Sequence, residues 1–257
     1  MNNKSKPITI TVITATKNAA TPLPVLIASL NSQCDKEFVW VVCDGDSSDA
    51  TLRLISHSGI KKKLILRRAD FGIYDALNSG VLSVETDYYL VLGADDQLES
   101  DAIKNYKEIC NRFNDPDFVA ASVVVNGRLI KPRKGLGWLY GMIGEASSHS
   151  VGLLIRTDLH KKFGMYSCRF PIAADQLFVL SCLSDTKVSI VRSNFMAGVF
   201  GTSGTSGSDA FGMITELFRV QVRLGRNLLL QILILIFRVW KAYCSYLYQA
   251  SINFLRS

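Results

Sequence analysis

Long apolar runs are missing from this 257-residue chain. No stretch reaches the roughly 18 apolar residues that a simple membrane span requires. The opening, MNNKSKPITITVITATKN, is polar and then strand-like, without the apolar centre of a secretory signal. Cysteine is sparse and unordered. Cys34, Cys43, Cys110, Cys168, Cys182 and Cys244 form no CxxC pair and no regular framework, so they read as free, mostly buried thiols. Together these absences lead us to expect a cytoplasmic protein. Acid is missing from one region in particular. From Gly212 to Ser257 there are six Arg or Lys and one acid, Glu216, so the tail supplies +5 of the net +7. A nucleic-acid binder spreads basic, aromatic-interleaved patches over its main domain, so no nucleic-acid partner is expected.

What is present is enough for a core. A hydrophobic content of 48% with 20% charged residues describes a globular chain, long enough for one large α/β domain or two small ones. Residues 8–14 (ITITVIT), 38–44 (FVWVVCD), 63–68 (KLILRR) and 88–93 (YYLVLG) are β-branched or apolar runs suited to buried strands. Between them lie helical patterns at 22–32, after the polar turn DGDSSDAT, from about Ile73, and at 100–110. Ser47, Ser48 or Asp49 is placed to cap the second of these. Strands alternating with helices predict an α/β fold, a mixed, mostly parallel sheet flanked by helices. Composition divides the chain into residues 1–208 and a basic amphipathic tail, 209–257. The short GTSGTSGS segment at 201–208 is expected to end the first part or to form a loop over its site.

Ligands of parallel sheets bind beyond the carboxyl ends of the strands. Acids collect there: Asp44 and Asp46 after the second strand, Asp70 after the third, Asp95 and Asp96 after the fourth. Singly, each reads as a turn or capping residue. As clusters in register they repel one another, and a divalent cation with a diphosphate accounts for them. Hard oxygen donors suit Mg²⁺ or Mn²⁺, which take one or two protein carboxylates and fill their shell with phosphate and water.

TVITATKN, VVCDGDSSDAT, ADFGIYDALNSG and LGADD, in that order, resemble the motifs of the family 2 glycosyltransferases. The likeness covers roughly residues 8–205. It is greatest to bacterial enzymes of O-antigen, capsule or exopolysaccharide synthesis, such as the colanic-acid type. The resemblance implies the Rossmann-like GT-A fold and a nucleotide-sugar donor, commonly a UDP-sugar. Thr14 and the turn Ala15–Asn18 would line the nucleotide pocket, and Asp44 would accept a hydrogen bond from the base, with Asp46 and Ser47 extending that turn. Asp70 and Gly72 would lie near the ribose or diphosphate. Asp75 and Asn78, three apart on one helix, would reach the donor sugar or phosphates. Gly93-Ala94-Asp95-Asp96 takes the place of the family's DxD, with Gly93 where many members have the first Asp; Asp95 would bind metal, Asp96 being the alternative. SSHSVGLLIRTDLHKKFGMYSCRFPIAADQLFVLSCL resembles the acceptor-side segment. There His149 would touch the diphosphate or fill a buried polar site, and Asp175 would be the catalytic base or simply a helix cap. His57 and His160 read as surface helix residues. The resemblance implies inversion by single displacement, and without a QxxRW segment it implies one sugar per encounter.

Taken as one helix over 216–256, the tail places Arg219, Arg223, Arg226, Arg238, Lys241 and Arg256 within an arc of about 120°, shared with Asn227, Ser245 and Glu216. Such a helix lies in a membrane interface, basic residues toward anionic headgroups, or packs on the catalytic domain or on a second subunit of a homo-oligomer. The membrane reading implies peripheral attachment to the cytoplasmic face of an inner membrane and a polyprenyl-diphosphate-linked glycan acceptor. Two other functions remain open. A sugar nucleotidyltransferase needs a glycine-rich loop, and TATKNAATPLP has no glycine. A non-catalytic, membrane-associated subunit is favoured only by the missing first Asp.

Overall fold

The computed structural model describes residues 7–147, 149–201 and 209–256. Among the described residues, nine strands form one sheet in the order β3-β2-β1-β4-β8-β6-β9-β5, with β7 paired to β6. The first half is β1 (Ile10–Thr16), β2 (Phe38–Asp44), β3 (Lys63–Arg67) and β4 (Tyr88–Val91), all mutually parallel. The second adds β5 (Gln97–Leu98), β6 (Phe118–Val125), β7 (Arg128–Ile130), β8 (Leu153–Arg156) and β9 (Ile190–Val199). β8 runs antiparallel between β4 and β6, and β9 runs parallel to β6, so six of the nine strands share one direction. The mixed, mostly parallel α/β sheet expected from the alternating pattern is therefore present.

Alternation along β1 and β2 sends side chains to two covers. Ile10, Val12, Trp40 and Val42 face a core shared with α1 (Leu23–Asn31) and α4 (Ala102–Arg112). Ile13, Val41 and Cys43 face α3 (Ile73–Leu82) and α7 (Ala174–Leu183). α3 lies close on the sheet because Gly80 has no side chain there: a Cβ would stand 2.6 Å from Ile13 Cγ2 and 2.8 Å from Cys43 Sγ. The shorter helices are α2 (Thr51–Ser56), α5 (Gly137–Tyr140) and α6 (Leu159–Phe163). None of Ser47, Ser48 and Asp49 is the cap expected for α2: the N-cap is Ala50, without a side-chain bond, and Asp49 instead closes the turn ahead of it by accepting the Thr51 amide at 2.9 Å. The six cysteines are free thiols, with Cys43, Cys110 and Cys182 buried. Of the GTSGTSGS segment only Gly201 lies within the described residues.

Two expectations are corrected. The tail is not one helix. α8 (Ala210–Arg223) ends at Gly225, whose φ of 72° breaks the ladder, and α9 (Leu228–Arg256) restarts with Asn227 Oδ1 accepting the Leu230 amide. A count of 100° per residue cannot be carried across that break, so the six basic residues do not share the continuous arc expected of them. Glu216, expected on that arc, is buried against the sheet domain together with Leu217 and Val220. His160 is also not a surface residue. Its Nε2 lies 2.6 Å from the Tyr89 hydroxyl and its Nδ1 2.9 Å from the Gly164 carbonyl, and its ring stacks on Phe178. The apolar side of a short helix beneath Tyr89 has drawn it inward.

This burial makes His160 an acid-sensitive point. Nδ1 donates to Gly164, Nε2 accepts from Tyr89, and desolvation holds the ring's pKa below its ordinary value. A depressed folded pKa gives stability that is present above the unfolded value of about 6.5 and is lost as pH falls through and below it. Thermal melts between pH 7.5 and 5 should therefore show a steeper decline in Tm for the native protein than for His160→Leu. Parallel slopes would remove His160 from the account.

Candidate functional site

The acids lie beyond the carboxyl ends of β2, β3 and β4, and the loops that follow β1 and β2 are sewn together there. Asn18, in the left-handed region at φ 49°, donates its amide to Ser47 Oγ (2.8 Å), and its Oδ1 accepts the Ser48 amide (2.9 Å). Asp44 is the knot. It is buried, and it accepts from the Thr16 hydroxyl (3.0 Å), the Ser47 hydroxyl (2.6 Å) and the Ser47 amide (2.9 Å). Thr14 is withdrawn beneath this layer. It has no exposed surface, and its hydroxyl accepts the Trp40 indole N–H at 3.1 Å, so it supports the floor while Ala15 stays partly exposed above it.

A shallow pocket opens between β2, β3 and α3, lined by Cys43, Asp44, Leu66, Arg68, Asp70, Ala76 and Ser79. Gly45 lets Asp70 come close at its rim: a Cβ there would stand 2.4 Å from Asp70 Oδ2, so the Asp70 side chain would have to turn away. Asp70 accepts the Gly72 amide at 3.2 Å, and Gly72 turns into α3 at φ 109°. Phe71 between them is 95% exposed. Asp46 pairs with Arg67 (2.7 Å) and Asp75 with Arg68 (2.8 Å). The Phe71 amide and the Arg68 guanidinium hold the Asp75 carboxyl below the usual carboxylate range.

Asp75 and Asn78 do not act together as their spacing implied. Asp75 turns back to Phe71 and Arg68, whereas Asn78 is taken by the chain beside it. Its Nδ2 donates to the Tyr166 carbonyl (2.9 Å) and its Oδ1 accepts the Tyr166 amide (3.0 Å). With both ends of the amide satisfied by one backbone residue, Asn78 braces α3 rather than facing a ligand.

At the end of β4 the two acids separate. Asp96 is buried, its Oδ2 accepting the Gly93 amide (2.6 Å) and its Oδ1 the Gly201 amide (2.8 Å). Burial pushes its pKa up to about 7. Asp95 keeps a partly exposed side chain beside Gly201, and Ala94 is partly exposed before it. Gly93 now has a packing reason: a Cβ there would stand 2.9 Å from Asp95 Oδ1 and 3.3 Å from Asp96 Oδ2. His149 joins this edge by stacking on Phe200, ring centroids 3.5 Å apart, and burial lowers its pKa to about 4, so the ring is neutral.

The divalent cation expected here uses only one or two protein carboxylates, and the remaining acids are held by the protein itself. Among the described residues no three His, Cys, Asp or Glu converge as a ligand group, and protein donors serve Asp44, Asp46, Asp70 and Asp96 separately. Asp96, with both oxygens turned inward, does not fit as the alternative ligand. A cation held through one carboxylate, water and a diphosphate does fit the partly exposed Asp95.

Asp175 stands on the second turn-and-helix unit. The α7 cap is Ala173, without a side-chain cap bond, so Asp175 is not merely an N-cap. Its Oδ1 accepts the Tyr74 hydroxyl of α3 at 2.7 Å, while the Ile172 carbonyl competes for the same proton at 2.9 Å. Burial raises the Asp175 pKa and the nearby Glu216 adds to this, against the lowering effect of Tyr74. Glu216 Oε2 accepts the amides of Ile172 (3.0 Å) and Ala173 (2.8 Å) and thereby fixes the turn ahead of Asp175. Sequence reasoning missed Arg67, Arg68, Tyr74 and Glu216 as parts of this site. Only the two arginines carried a signal, as a pair of charges closing a strand.

Two substitutions test these braces. Asp96→Ala leaves two part-buried amides without their acceptors, each costing at most about 1–3 kcal/mol, so its Tm should fall below that of Asp95→Ala. Glu216→Ala should lower Tm for the same reason, and Glu216→Gln, which keeps an acceptor, should recover most of the loss. Equal melting of either pair would contradict the bonding described.

With this geometry in place, the comparisons become specific. The family model described as Glycosyl transferase family 2 matches residues 11–157, more than half of the chain. A PGL/p-HBAD biosynthesis glycosyltransferase of Mycobacterium bovis is 26% identical over 233 residues, covering 89% of this chain and 90% of the relative. The crystal structure of S. aureus TarS 1-349 superposes with a TM-score of 0.64 at 19% identity, over 89% of this chain and 69% of that one. The mannosyltransferase PcManGT from Pyrobaculum calidifontis, solved with GDP-Man and Mn²⁺, superposes at 0.62 with 14% identity, over 85% and 64% respectively. The motifs that close around Asp44 and Asp95 lie inside the matched span, and the chain belongs to glycosyl transferase family 2 and is a glycosyltransferase.

Proposed function

We propose that the chain transfers one sugar per encounter from a UDP-sugar to a hydroxyl of a lipid-linked glycan, with inversion at the anomeric carbon. The carrying observation is Asp175, a carboxylate of raised pKa bonded to Tyr74 and set on a turn that Glu216 pins. A base with that environment suits removal of a proton from an attacking hydroxyl. The uridine choice is supported by structures of TarS in complex with UDP-GlcNAc and of a Mycobacterium tuberculosis glucosyl-3-phosphoglycerate synthase with UDP and Mn²⁺. The base and ribose would lie over the pocket formed by Asp44, Arg68 and Asp70, with Asn18, Asp46, Ser47 and Gly72 shaping its rim. The diphosphate would lie toward Ala94, Asp95 and His149. A divalent cation, Mg²⁺ or Mn²⁺, would stabilise charge on the departing diphosphate. In the same reading Asp95 orients that group, and the neutral His149 contributes a hydrogen bond rather than a charge. Asp175 holds the acceptor proton.

The acceptor side completes the reading: a polyprenyl-diphosphate-linked glycan at the cytoplasmic face of an inner membrane, reached through α9, in O-antigen, capsule or colanic-acid-type synthesis. The relative from M. bovis is named for PGL/p-HBAD biosynthesis, so the product class is what an acceptor assay decides.

A screen of nucleotide sugars by thermal shift should find stabilisation by a UDP-sugar that depends on Mn²⁺ or Mg²⁺. Asp95→Ala should lose the metal dependence and transfer together. Asp175→Asn should keep the donor-induced shift yet lose transfer by about 10²–10⁴-fold. The absence of a shift with any nucleotide sugar and Mn²⁺ would defeat the donor assignment. Because the base must be deprotonated, turnover should rise with pH through the raised Asp175 pKa. Glu216→Gln, which removes a raising charge, should move that limb to lower pH; an unmoved limb would separate Asp175 from the proton transfer.

A further inference from the structure

α9 is amphipathic in an inverted sense. Two of its polar residues face the domain: the buried Gln231 donates to the Trp138 carbonyl at 2.9 Å, and Arg238 donates to the Leu139 carbonyl. About 200° round the helix from these positions lie Leu229 (73% exposed), Leu233, Ile236, Trp240 (61% exposed), Tyr243 and Leu247. They recur at alternating steps of four and three and form one exposed apolar face. Among the described residues no helix is long and apolar enough to cross a membrane.

A second element lies alongside. Residues 126–140 run from the β6–β7 turn through α5, whose Gly137 carbonyl also accepts from Gln221 of α8 at 2.7 Å. This arm carries Arg128, Lys131, Arg133 and Lys134 in exposed positions, followed by exposed Leu136, Trp138 and Tyr140. Residues 126–144 and 217–256 together hold ten Arg or Lys and no acid, whereas the whole chain is only +7. The remainder is therefore net acidic, and the basic charge is concentrated where the apolar side chains are exposed.

We infer that α9 and the 126–140 arm form one composite surface that docks on an anionic phospholipid bilayer, the arm reading headgroup charge while α9 inserts its apolar face. This rests on the membrane-side placement proposed above and adds a second element to it. Tryptophan and tyrosine favour the headgroup level, and lysine and arginine favour anionic lipid. A second copy of the chain fits less well, since a symmetric pairing of this face would bring two acid-free basic arms together.

The test uses the full chain with vesicles of phosphatidylcholine alone and of phosphatidylcholine mixed with phosphatidylglycerol. Co-sedimentation should be strong with the mixed vesicles and weak with the neutral ones. Each basic residue near an anionic surface contributes roughly fivefold in binding, so K131E/R133E/K134E should weaken binding to mixed vesicles by at least about tenfold. These side chains are exposed, so the variant should keep its Tm and its UDP-induced thermal shift. Leu233→Glu with Trp240→Glu should also abolish sedimentation. If the triple variant binds like the native protein, the arm has no part in docking, whatever α9 does. If the native chain binds neither vesicle while UDP still stabilises it, the membrane placement fails and the donor site stands. A concentration-dependent dimer dispersed by Trp240→Glu would give the face to a second copy and overturn the proposal.

Discussion

Like charges gathered at the same ends of the parallel strands β2, β3 and β4 are the constraint that orders this site. Five carboxylates follow β2, β3 and β4 within three short loops. The fold answers by giving the acids different local donors. Asp44 takes two hydroxyls and an amide, Asp46 takes Arg67, Asp70 takes the Gly72 amide, and Asp96 takes two glycine amides. Each arrangement also fixes a loop. The bonds that neutralise charge are therefore those that shape the pocket, and Asp95 stays partly exposed at the strand end.

The glycines follow from the same constraint. At Gly45 the Asp70 carboxylate, and at Gly93 the carboxylates of Asp95 and Asp96, occupy the space where a Cβ would be. A carboxylate at position 93 would add a third negative group to two already in contact with that backbone.

The parallel half of the sheet was legible because its strands are continuous β-branched runs with acids at one end. β2 begins and ends where the pattern places it, and α3 begins at Ile73. What stayed hidden depended on contacts between distant residues. Periodicity puts Asp75 and Asn78 on one helix face, but it cannot show that the Tyr166 backbone claims Asn78 across 88 positions. It places Glu216 with the tail cations, because nothing local distinguishes a solvated glutamate from one that accepts two amides 43 and 44 residues away. The helix break at Gly225 was present as a letter, yet a single glycine inside an apolar pattern does not announce a positive φ.

Glu216 also changes what the tail is. Composition draws a border after residue 208, where charge and hydropathy shift. Physically, α8 lies on the inner side of that border: Leu217 and Val220 are buried, Arg219 stacks its guanidinium over Phe170 at 4.6 Å, and Glu216 holds the turn ahead of Asp175. The carboxylate on α7 therefore takes its position partly from a helix joined, through the turn at 224–227, to α9 with its exposed apolar face. Polar groups on the tail are spent inward, on the Ile172–Ala173 turn and on the 137–139 carbonyls. Satisfying those buried amides and carbonyls leaves mainly apolar side chains to face outward from α9. The outward greasiness of α9 and the fixed geometry around Asp175 are two consequences of one allocation of hydrogen-bonding groups.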